Sequence, residues 1–569
     1  MMDALARALM PHLIIAPIVL PLLAAALMLM LRNTGRWTQA AINVTACVLG
    51  VVLAMTLLHW VHHTARPLSV GVYLPSNWAM PYGIVLAADR LAAMMVLLTS
   101  LIGLAAVLYS CARWHQAGAY FHPLFQLQLM GLYGAFLTAD LFNLFVFFEI
   151  TLTASYGLLL HGTGAPRVRA GMHYIALNLM ASSLFLMGAA ILYGVTGTLS
   201  MADMAIMVPA IPEDDRALLH AGAAILAVAF FVKAAVWPLN FWMPAAYSSA
   251  GAPVAALFAL LTKLGVYAIL RLWTLLFPQD AGISALFGGP ALVALGLVTL
   301  TFGALGVLAS QHLGRMAAFY AILSSGTLLA ALGFGQPAVT GGALYYSFGS
   351  TMAVSTLFLL VELIDRTRQV EEQPPLEWWE MSVDSFAVSA FYEPFQRQRG
   401  VNLDDAEEAL IGRAIPGSMA FLGLAFMACG LTIAGLPPMP GFVGKMVILS
   451  ALLNPEGFGQ SAQVSPVAWT MLALLMAGGL LSIIAASRAG VRYFWAPAGR
   501  PAPRLRVIEI APIAMLLALN LVLVWRADEV MRFVNAAARH LHTPDDYISA
   551  IVAARPVPPP TLPAKESTP

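Results

Sequence analysis

The sequence has very little charge. Only 10% of its 569 residues are Asp, Glu, Lys or Arg, whereas 60% are hydrophobic and the mean hydropathy is +0.81. Because soluble domains carry about 25% charged residues, this composition excludes an ordinary soluble protein and places most of the chain in a lipid bilayer. The formal net charge of +1 says nothing about partners. We predict no nucleic-acid partner.

Cysteine is equally scarce. Cys47, Cys111 and Cys429 lie far apart without a C-x-x-C spacing, which argues against an iron–sulfur or zinc site and against a disulfide framework. The histidines provide no pair on two spans for haem ligation, and the P-loop and dinucleotide fingerprints are missing. We therefore predict no cofactor and no metal site, and neither ATP-driven nor redox chemistry in this chain.

Long apolar runs dominate what is present. A membrane-spanning helix needs about 17–25 apolar residues, and the first run is followed by further runs, so we interpret it as a retained span instead of a signal peptide. We predict an all-α polytopic membrane protein with about 14 transmembrane helices. The predicted spans are 13–31, 39–61, 84–110, 122–138, 141–161, 170–195, 219–238, 250–273, 290–310, 315–334, 341–364, 417–453, 466–489 and 507–525.

The arginines predict the orientation in the membrane. Connections after odd-numbered spans carry sixteen arginines, whereas those after even-numbered spans carry only Arg66, Arg216 and Arg271. Positive residues favour the cytoplasmic side. We therefore predict a multi-pass protein of the inner (plasma) membrane, with both termini on the non-cytoplasmic side.

Four ionisable residues lie inside apolar stretches, each several residues from the nearest other charge. They are Glu149 in LFNLFVFFEITLTASYGLLL, Lys233 in AVAFFVKAAVWP, Lys263 in ALFALLTKLGVYAIL and Lys445 in AGLPPMPGFVGKMVILSALL. A charged side chain at bilayer depth costs about 2.5–3.5 kcal/mol on insertion scales. Such residues usually mark a proton or ion path, since desolvation favours the neutral form of a buried lysine and lets it release a proton.

Prolines interrupt two of the charged spans, the seventh and the twelfth. Two broken spans five apart in order are typical of an inverted repeat. We predict N-terminal helices in 1–121, a first five-helix repeat in 122–273 and a second in 290–489. The second contains a charged cytoplasmic insertion, 365–416, which we interpret as a solvated linker or, alternatively, a partner contact. Residues 490–569 hold the last helix and a proline-rich tail.

Smaller polar features lead to further predictions. Asn143, Thr153 and Tyr156 are spaced to lie roughly on the helical face of Glu149. Asp140 is suited to the N-terminus of its helix. We expect Asp89 and Arg90 to form an interfacial pair at the start of the third span, and Glu362 to be solvated.

The stretches TADLFNLFVFFEITLTASYGLLL, FFVKAAVWPLNFWMPAAYSSAGAPVAALFALLTKLGVYAILRL and GLPPMPGFVGKMVIL resemble the antiporter-like subunits of proton-pumping NADH:quinone oxidoreductase. They are most similar to the D subunits of the multisubunit Mrp-type (Pha, Mnh) monovalent cation/proton antiporters, over roughly residues 80–450. The resemblance implies that Glu149 and Lys233 form a coupled pair. It also implies that Lys263 and Lys445 continue a polar axis through the membrane centre.

The eleventh span departs from the pattern of that family. Relatives often carry a histidine there, and in many a lysine, whereas this chain has Gly349 at the histidine position and no lysine after it. A link between Lys263 and Lys445 then needs water or serines, for which Ser347, Ser350 and Ser355 are candidates.

Together these features predict a proton-translocating subunit of a cation/proton antiporter, which is a secondary transporter subunit and not an enzyme. It would exchange Na⁺ or K⁺ for H⁺ by a buried Glu/Lys relay, with the other subunits, lipid and the ions as partners. The alternative is a proton-pumping subunit of an NADH dehydrogenase or membrane-bound hydrogenase complex, whose electron chemistry resides on other chains. A purely structural subunit would not need four buried charges.

Overall fold

A computed structural model describes residues 10–31, 35–63, 70–114, 118, 120–162, 164–369, 417–455, 463–495 and 505–557. In these ranges the chain forms nineteen α-helices and one two-stranded antiparallel sheet. The N-terminal elements are α1 (Ala16–Met30), α2 (Arg36–His63), β1 (Gly71–Tyr73), β2 (Leu86–Ala88) and α3 (Arg90–Ser110). In the hairpin, Gly71 pairs with Ala88 and Tyr73 with Leu86.

The central and C-terminal parts are helical apart from short connections. The first predicted repeat contains α4 (Phe121–Leu137), α5 (Leu141–Leu159), α6 (Ala165–Thr196), α7 (Met201–Met207), α8 (Glu213–Lys233), α9 (Met243–Ser249) and α10 (Ala252–Leu276). The second contains α11 (Gly289–Ala309), α12 (Leu313–Gly333), α13 (Pro337–Gln369), α14 (Gly417–Ala434), α15 (Pro440–Leu453) and α16 (Pro466–Gly490). The chain continues with α17 (Val507–Trp525), α18 (Ala527–His542) and α19 (Asp545–Ala553).

Local sequence sets several helix starts. The side chain of Asp89 accepts a hydrogen bond from Ala92 N at 2.9 Å, and that of Asp140 accepts one from Asn143 N at 2.7 Å. These carboxylates satisfy backbone donors that the first turn of α3 and of α5 leaves free. The predicted role of Asp140 is therefore confirmed.

The helices divide into an interior set and an outer set. Over its most apolar stretch α10 is wholly buried by the rest of the chain, α13 is almost wholly buried, and α3 and α12 are largely buried. By contrast, α2, α16 and α17 leave most of that stretch exposed, as expected of helices that face lipid. Lys263 lies on α10 and therefore at the centre of the bundle.

The structure confirms the all-α polytopic membrane fold. Each of the fourteen predicted spans contains a helix, and twelve described helices are long and apolar enough to cross a membrane. Three shorter helices in the predicted spans, α1, α4 and α15, have 15, 17 and 14 residues. The number of crossings and their orientation stay predictions. Residues 370–416, which include most of the predicted insertion, lie outside the described residues.

Both predicted breaks are present, and their backbones match. In the first, Val236 N donates to Phe231 O at 2.9 Å; in the second, Leu436 N donates to Leu431 O at 3.0 Å. Each break also contains a residue in the left-handed region, Ala235 (φ 55°) and Gly435 (φ 83°). This offset of 200 residues supports a relation between the two breaks, while the complete inverted repeat stays a prediction.

The lysines do not follow that offset. Lys233 is the last residue of α8, before its break, whereas Lys445 lies on α15, after the other break. By local correspondence Lys233 matches Ile433. The interpretation in which the repeat relates the two lysines to each other is thus not supported by the local backbone.

Two C-terminal helices were not anticipated from the sequence. The region 490–569 contains α18 and α19 in addition to the expected last helix. Both pack on the end of the bundle where α3 begins and α10 ends, and α19 also contacts α7 and β1. Each helix has an apolar face and a charged face, so its apolar residues are not consecutive in the sequence. A search for continuous apolar runs therefore does not detect these helices. Residues 558–569 of the proline-rich tail lie outside the described residues.

Candidate functional site

Glu149 occupies the middle of α5 and is half-buried. Its Oε1 atom accepts a hydrogen bond from the Ser182 hydroxyl on α6, and Ser182 itself is buried. A carboxylate in an apolar bundle needs such a donor, because an unsatisfied buried charge is costly. Ser182 was not identified from the sequence, where it is one of two adjacent serines in an apolar run.

The predicted face of α5 is only partly assembled. Tyr156 is half-buried and lies with its ring centroid 5.4 Å from that of Tyr174. Thr153 is exposed. Asn143 donates to Thr138 Oγ1 at 2.9 Å, at the start of the helix. Among the contacts described, Glu149 is therefore joined to Ser182 instead of Asn143 or Thr153.

Lys233 lies near Glu149 but does not bond to it directly. Its Nζ atom is buried, lies 5.8 Å from the ring centroid of Phe148, and interacts electrostatically with Glu149. Within the described residues this atom has no hydrogen-bond partner. An ammonium group over an aromatic face is stabilised by the negative face of the ring. The helix end also favours a cation, because Lys233 closes α8.

Lys263 begins a line of hydroxyl groups between three interior helices. Its Nζ atom, on α10, donates to Ser324 Oγ on α12 at 2.9 Å. Ser324 Oγ lies 3.0 Å from Ser350 Oγ on α13. All three residues are buried. Either serine can donate to the other, so the direction of this hydrogen bond can reverse without movement of a heavy atom.

Lys445 reaches back across the second break. Its Nζ atom donates to the backbone oxygens of Ile433 at 3.0 Å and Ala434 at 2.8 Å, which are the last two residues of α14. It also lies 5.9 Å from the ring centroid of Tyr346, on the helix that carries Ser350. Each break therefore holds an ammonium group at the C-terminal end of its first half-helix, where the dipole favours a cation.

Packing explains the departure at Gly349. A Cβ atom at this position would lie 3.1 Å from the Cβ and Cγ atoms of Pro440, the first residue of α15. The place of a side chain is thus occupied by the second half of the broken span. Of the candidate serines, Ser350 belongs to the line from Lys263, while Ser355 Oγ donates to Ala256 O at 2.9 Å. Ser347 accepts, through its backbone oxygen, from Thr351 Oγ1 at 2.6 Å.

Restoring a histidine should therefore damage the fold. We expect Gly349→His to lower the thermal stability of the detergent-solubilised protein, because overpacking costs about 1–3 kcal/mol. The matched control is Gly194→His on α6, where an added Cβ meets no atom within 4 Å. Equal thermal unfolding and equal membrane abundance of the two variants would contradict this account.

The helices that carry Lys233 and Lys263 are in close contact. A Cβ on Gly265 of α10 would lie 2.6 Å from Ala234 N, directly after Lys233. Glycine thus allows the end of α8 to lie against α10, two residues beyond Lys263. The structure brings Glu149 and Lys233 into one neighbourhood. Lys263 is bonded through Ser324 to Ser350, whereas Lys445 lies near the Tyr346 ring, whose hydroxyl has no hydrogen-bond partner among the described residues.

Two surface predictions need correction. Asp89 does not pair with Arg90 but forms a bidentate ion pair with Arg271, at 2.7 and 2.8 Å. Arg271 lies inside α10 and is buried, so it does not belong to a connection. Glu362 is not solvated: it accepts from Arg366 at 2.6 Å and from Trp114 Nε1 at 2.7 Å. Local context predicted the surroundings of these charges, whereas Arg271 and Trp114, which bind them, are distant in the sequence.

Comparison with known proteins identifies the family of this chain. Residues 138–378 match the family described as "NADH:quinone oxidoreductase/Mrp antiporter, TM". The chain is 46% identical to the D subunit of a probable K(+)/H(+) antiporter of Rhizobium meliloti, over 95% of this chain and 98% of the relative. It is 30% identical to the D subunit of the Na(+)/H(+) antiporter of Bacillus subtilis, over 95% of this chain and 100% of the relative. The chain belongs to the family of antiporter D subunits.

The fold of this D-family chain agrees with a solved structure. A chain in the Mrp complex from a Dietzia species superposes with a TM-score of 0.76 and 22% identity, over 95% of this chain and 99% of that one. At this identity the likeness concerns the fold alone. The family match includes Glu149, Lys233 and Lys263, whereas Lys445 lies beyond its end. The family resemblance stated from the sequence is confirmed.

Proposed function

We propose that this D-family chain is the proton-translocating subunit of a multisubunit antiporter that exchanges Na⁺ or K⁺ for H⁺. Protons would pass over Glu149, Lys233, Lys263 and Lys445. The observation that carries the proposal is the line of hydroxyls from Lys263 Nζ through Ser324 to Ser350, at 2.9 and 3.0 Å. It lies on helices shielded from lipid, where a relay can exchange protons without a charge meeting hydrocarbon.

The remaining steps of the relay follow from the surroundings of each group. Glu149 and Lys233 carry opposite charges, so a proton on one changes the proton affinity of the other. Tyr346 lies one turn before Ser350 on α13, and its ring centroid is 5.9 Å from Lys445 Nζ. Its hydroxyl, which has no hydrogen-bond partner among the described residues, would complete the relay between Ser350 and Lys445. The transmembrane potential would supply about 2.3 kcal/mol per charge per 100 mV to such a movement.

Relatives named as antiporter D subunits, at 46% and 30% identity over nearly the whole chain, favour the antiporter over a redox-driven pump. The matched family includes both classes, so a proton-pumping subunit of an NADH:quinone oxidoreductase is the alternative. We place the chain in the plasma membrane beside other antiporter subunits, with both termini non-cytoplasmic.

The decisive experiment compares inverted membrane vesicles with and without this chain. Vesicles from cells that produce the full set of partner subunits should show dye-reported proton movement on addition of Na⁺ or K⁺. Omission of this chain alone should reduce the signal to background. The purified single chain in liposomes should also give none, since we propose that the partners complete the cation path. Robust exchange by the single chain would contradict that assignment.

A further inference from the structure

A second polar series leaves Lys263 in the opposite direction, along α10 itself. Lys263, Tyr267 and Arg271 are spaced four residues apart, so they fall within roughly 80° of one another around the helix and span about 12 Å along it. The guanidinium carbon of Arg271 lies 5.6 Å from the ring centroid of Tyr267. Tyr267 in turn donates to Phe136 O at 2.7 Å. The series points to the end of the bundle that carries α18 and α19.

Arg271 is fixed at the end of this series. Two of its nitrogens donate to the two oxygens of Asp89 at 2.7 and 2.8 Å, and the two residues are only 5% and 8% exposed. Bidentate pairs of this kind are the strongest and most directional ionic contacts in proteins. Removing one partner from a buried pair is costly, so the guanidinium is held in one place.

The C-terminal segment covers the pair. The Tyr547 ring of α19 lies 4.9 Å from the guanidinium carbon of Arg271, and Tyr547 is itself buried. The segment is attached to the β1–β2 loop, where the Asn77 side chain donates to Val557 O at 2.9 Å and accepts from Val557 N at 2.6 Å. Arg271 is thus enclosed between Tyr267 and Tyr547.

We propose that the Asp89–Arg271 pair beneath Tyr547 is a proton barrier, which separates Lys263 from the solution at this end of the bundle. A guanidinium stays charged at all relevant pH values and cannot pass a proton on. A fixed positive charge in a narrow polar path also opposes protons and cations. The inference rests on the proposed function, because it assigns a closed side to a lysine that exchanges protons.

Such a barrier has a physical purpose in an antiporter. A proton-exchanging group in contact with both solutions at once would dissipate the gradient that drives exchange. The line through Ser324 and Ser350 leads from Lys263 towards Lys445, whereas the series along α10 ends at a group that cannot relay. Protons on Lys263 are thereby directed to the serines.

The test measures passive proton leak separately from exchange. Vesicles containing the full complex are given a pH difference in buffer without Na⁺ or K⁺, with a permeant anion to balance charge. Arg271→Gln removes the fixed positive charge that closes the series beyond Tyr267. We expect the pH difference to collapse about tenfold faster, which corresponds to ~1.4 kcal/mol of barrier. Arg271→Lys keeps a positive charge beside Asp89 but introduces a group that can release its proton, so it should also leak, though less than Arg271→Gln.

Three further variants make the result specific. Arg532→Gln removes a solvent-exposed ion pair with Asp528 on α18 and should not leak. Lys263→Ala added to Arg271→Gln should return the leak to the wild-type rate, which loss of packing alone would not do. If Arg271→Gln fails to reach the membrane, Asp89→Asn/Arg271→Gln replaces it, since this variant leaves no unpaired buried charge and should also leak.

Abundant variants without a leak, or a leak that persists in the Lys263→Ala background, would overturn the barrier. Exchange of the wild-type vesicles, measured in the same preparation after addition of the cation, tests the proposed function independently. Normal wild-type exchange together with a tight Arg271→Gln variant would therefore reject the barrier and leave the proposed function in place.

Discussion

Replacement of Glu149 by alanine is expected to abolish cation/proton exchange while the protein still reaches the membrane. The carboxylate interacts electrostatically with Lys233, and the other stabilising contact described for this ammonium group is with the Phe148 ring. Without Glu149 the charged form of Lys233 loses its counter-charge in an apolar environment, so a proton no longer binds there reversibly. The measurement is dye-reported exchange in inverted vesicles that contain the complete complex.

Two matched variants separate charge from packing in this prediction. Glu149→Gln keeps the shape and can still bond to Ser182, yet it should fail as badly as Glu149→Ala because it cannot ionise. Ser182→Ala removes only the hydrogen-bond donor and should reduce exchange without abolishing it. Normal exchange in Glu149→Gln, at wild-type abundance, would show that the carboxylate does not take part in the relay.

The positions of the broken helices were predictable from the sequence because proline cannot supply the backbone donor that a helix interior requires. The sequence also shows that Lys233 precedes the proline of its break, whereas Lys445 follows the prolines of the other. It does not show that Lys445 reaches back to the backbone oxygens of Ile433 and Ala434. That contact depends on the path of the side chain and not on spacing.

The charged members of the site were visible from the sequence, whereas of the neutral members only Ser350 was among the candidates. An isolated lysine in an apolar run stands out because it is costly there. Ser324 does not stand out, since serines commonly bond to the preceding turn of their own helix. Its contact with Lys263 joins α10 to α12 across 61 residues of sequence, and only the packing of the bundle brings them together.

The same reasoning applies to Asp89 and Arg271. In the sequence Asp89 is adjacent to Arg90, and a local pair is the simplest interpretation of two neighbouring opposite charges. In the structure Asp89 caps α3 with one carboxylate oxygen and binds Arg271, 182 residues away, with both. A buried carboxylate requires a partner charge that is buried with it. Such a partner can come from anywhere in the sequence.

Lys263→Arg is expected to eliminate exchange as completely as Lys263→Ala. Lys263 is almost wholly buried on the most enclosed helix of the bundle, and its Nζ atom donates to Ser324. A relay at this position requires the group to release its proton to the serines and to bind another. Arginine can donate to Ser324 but cannot be deprotonated in a protein, so the line would be permanently occupied by one charge.

The arginine variant distinguishes a relay from a structural cation. A lysine that only stabilises the surrounding helices by its charge would be replaced by arginine with little loss, whereas alanine would still be harmful. Lys263→Gln controls for side-chain size without charge, and the abundance of the assembled complex controls for misfolding caused by the larger guanidinium. Dye-reported exchange is then compared at equal amounts of complex. Near-normal exchange in Lys263→Arg would remove Lys263 from the proton path and confine the relay to Glu149, Lys233 and the groups around them.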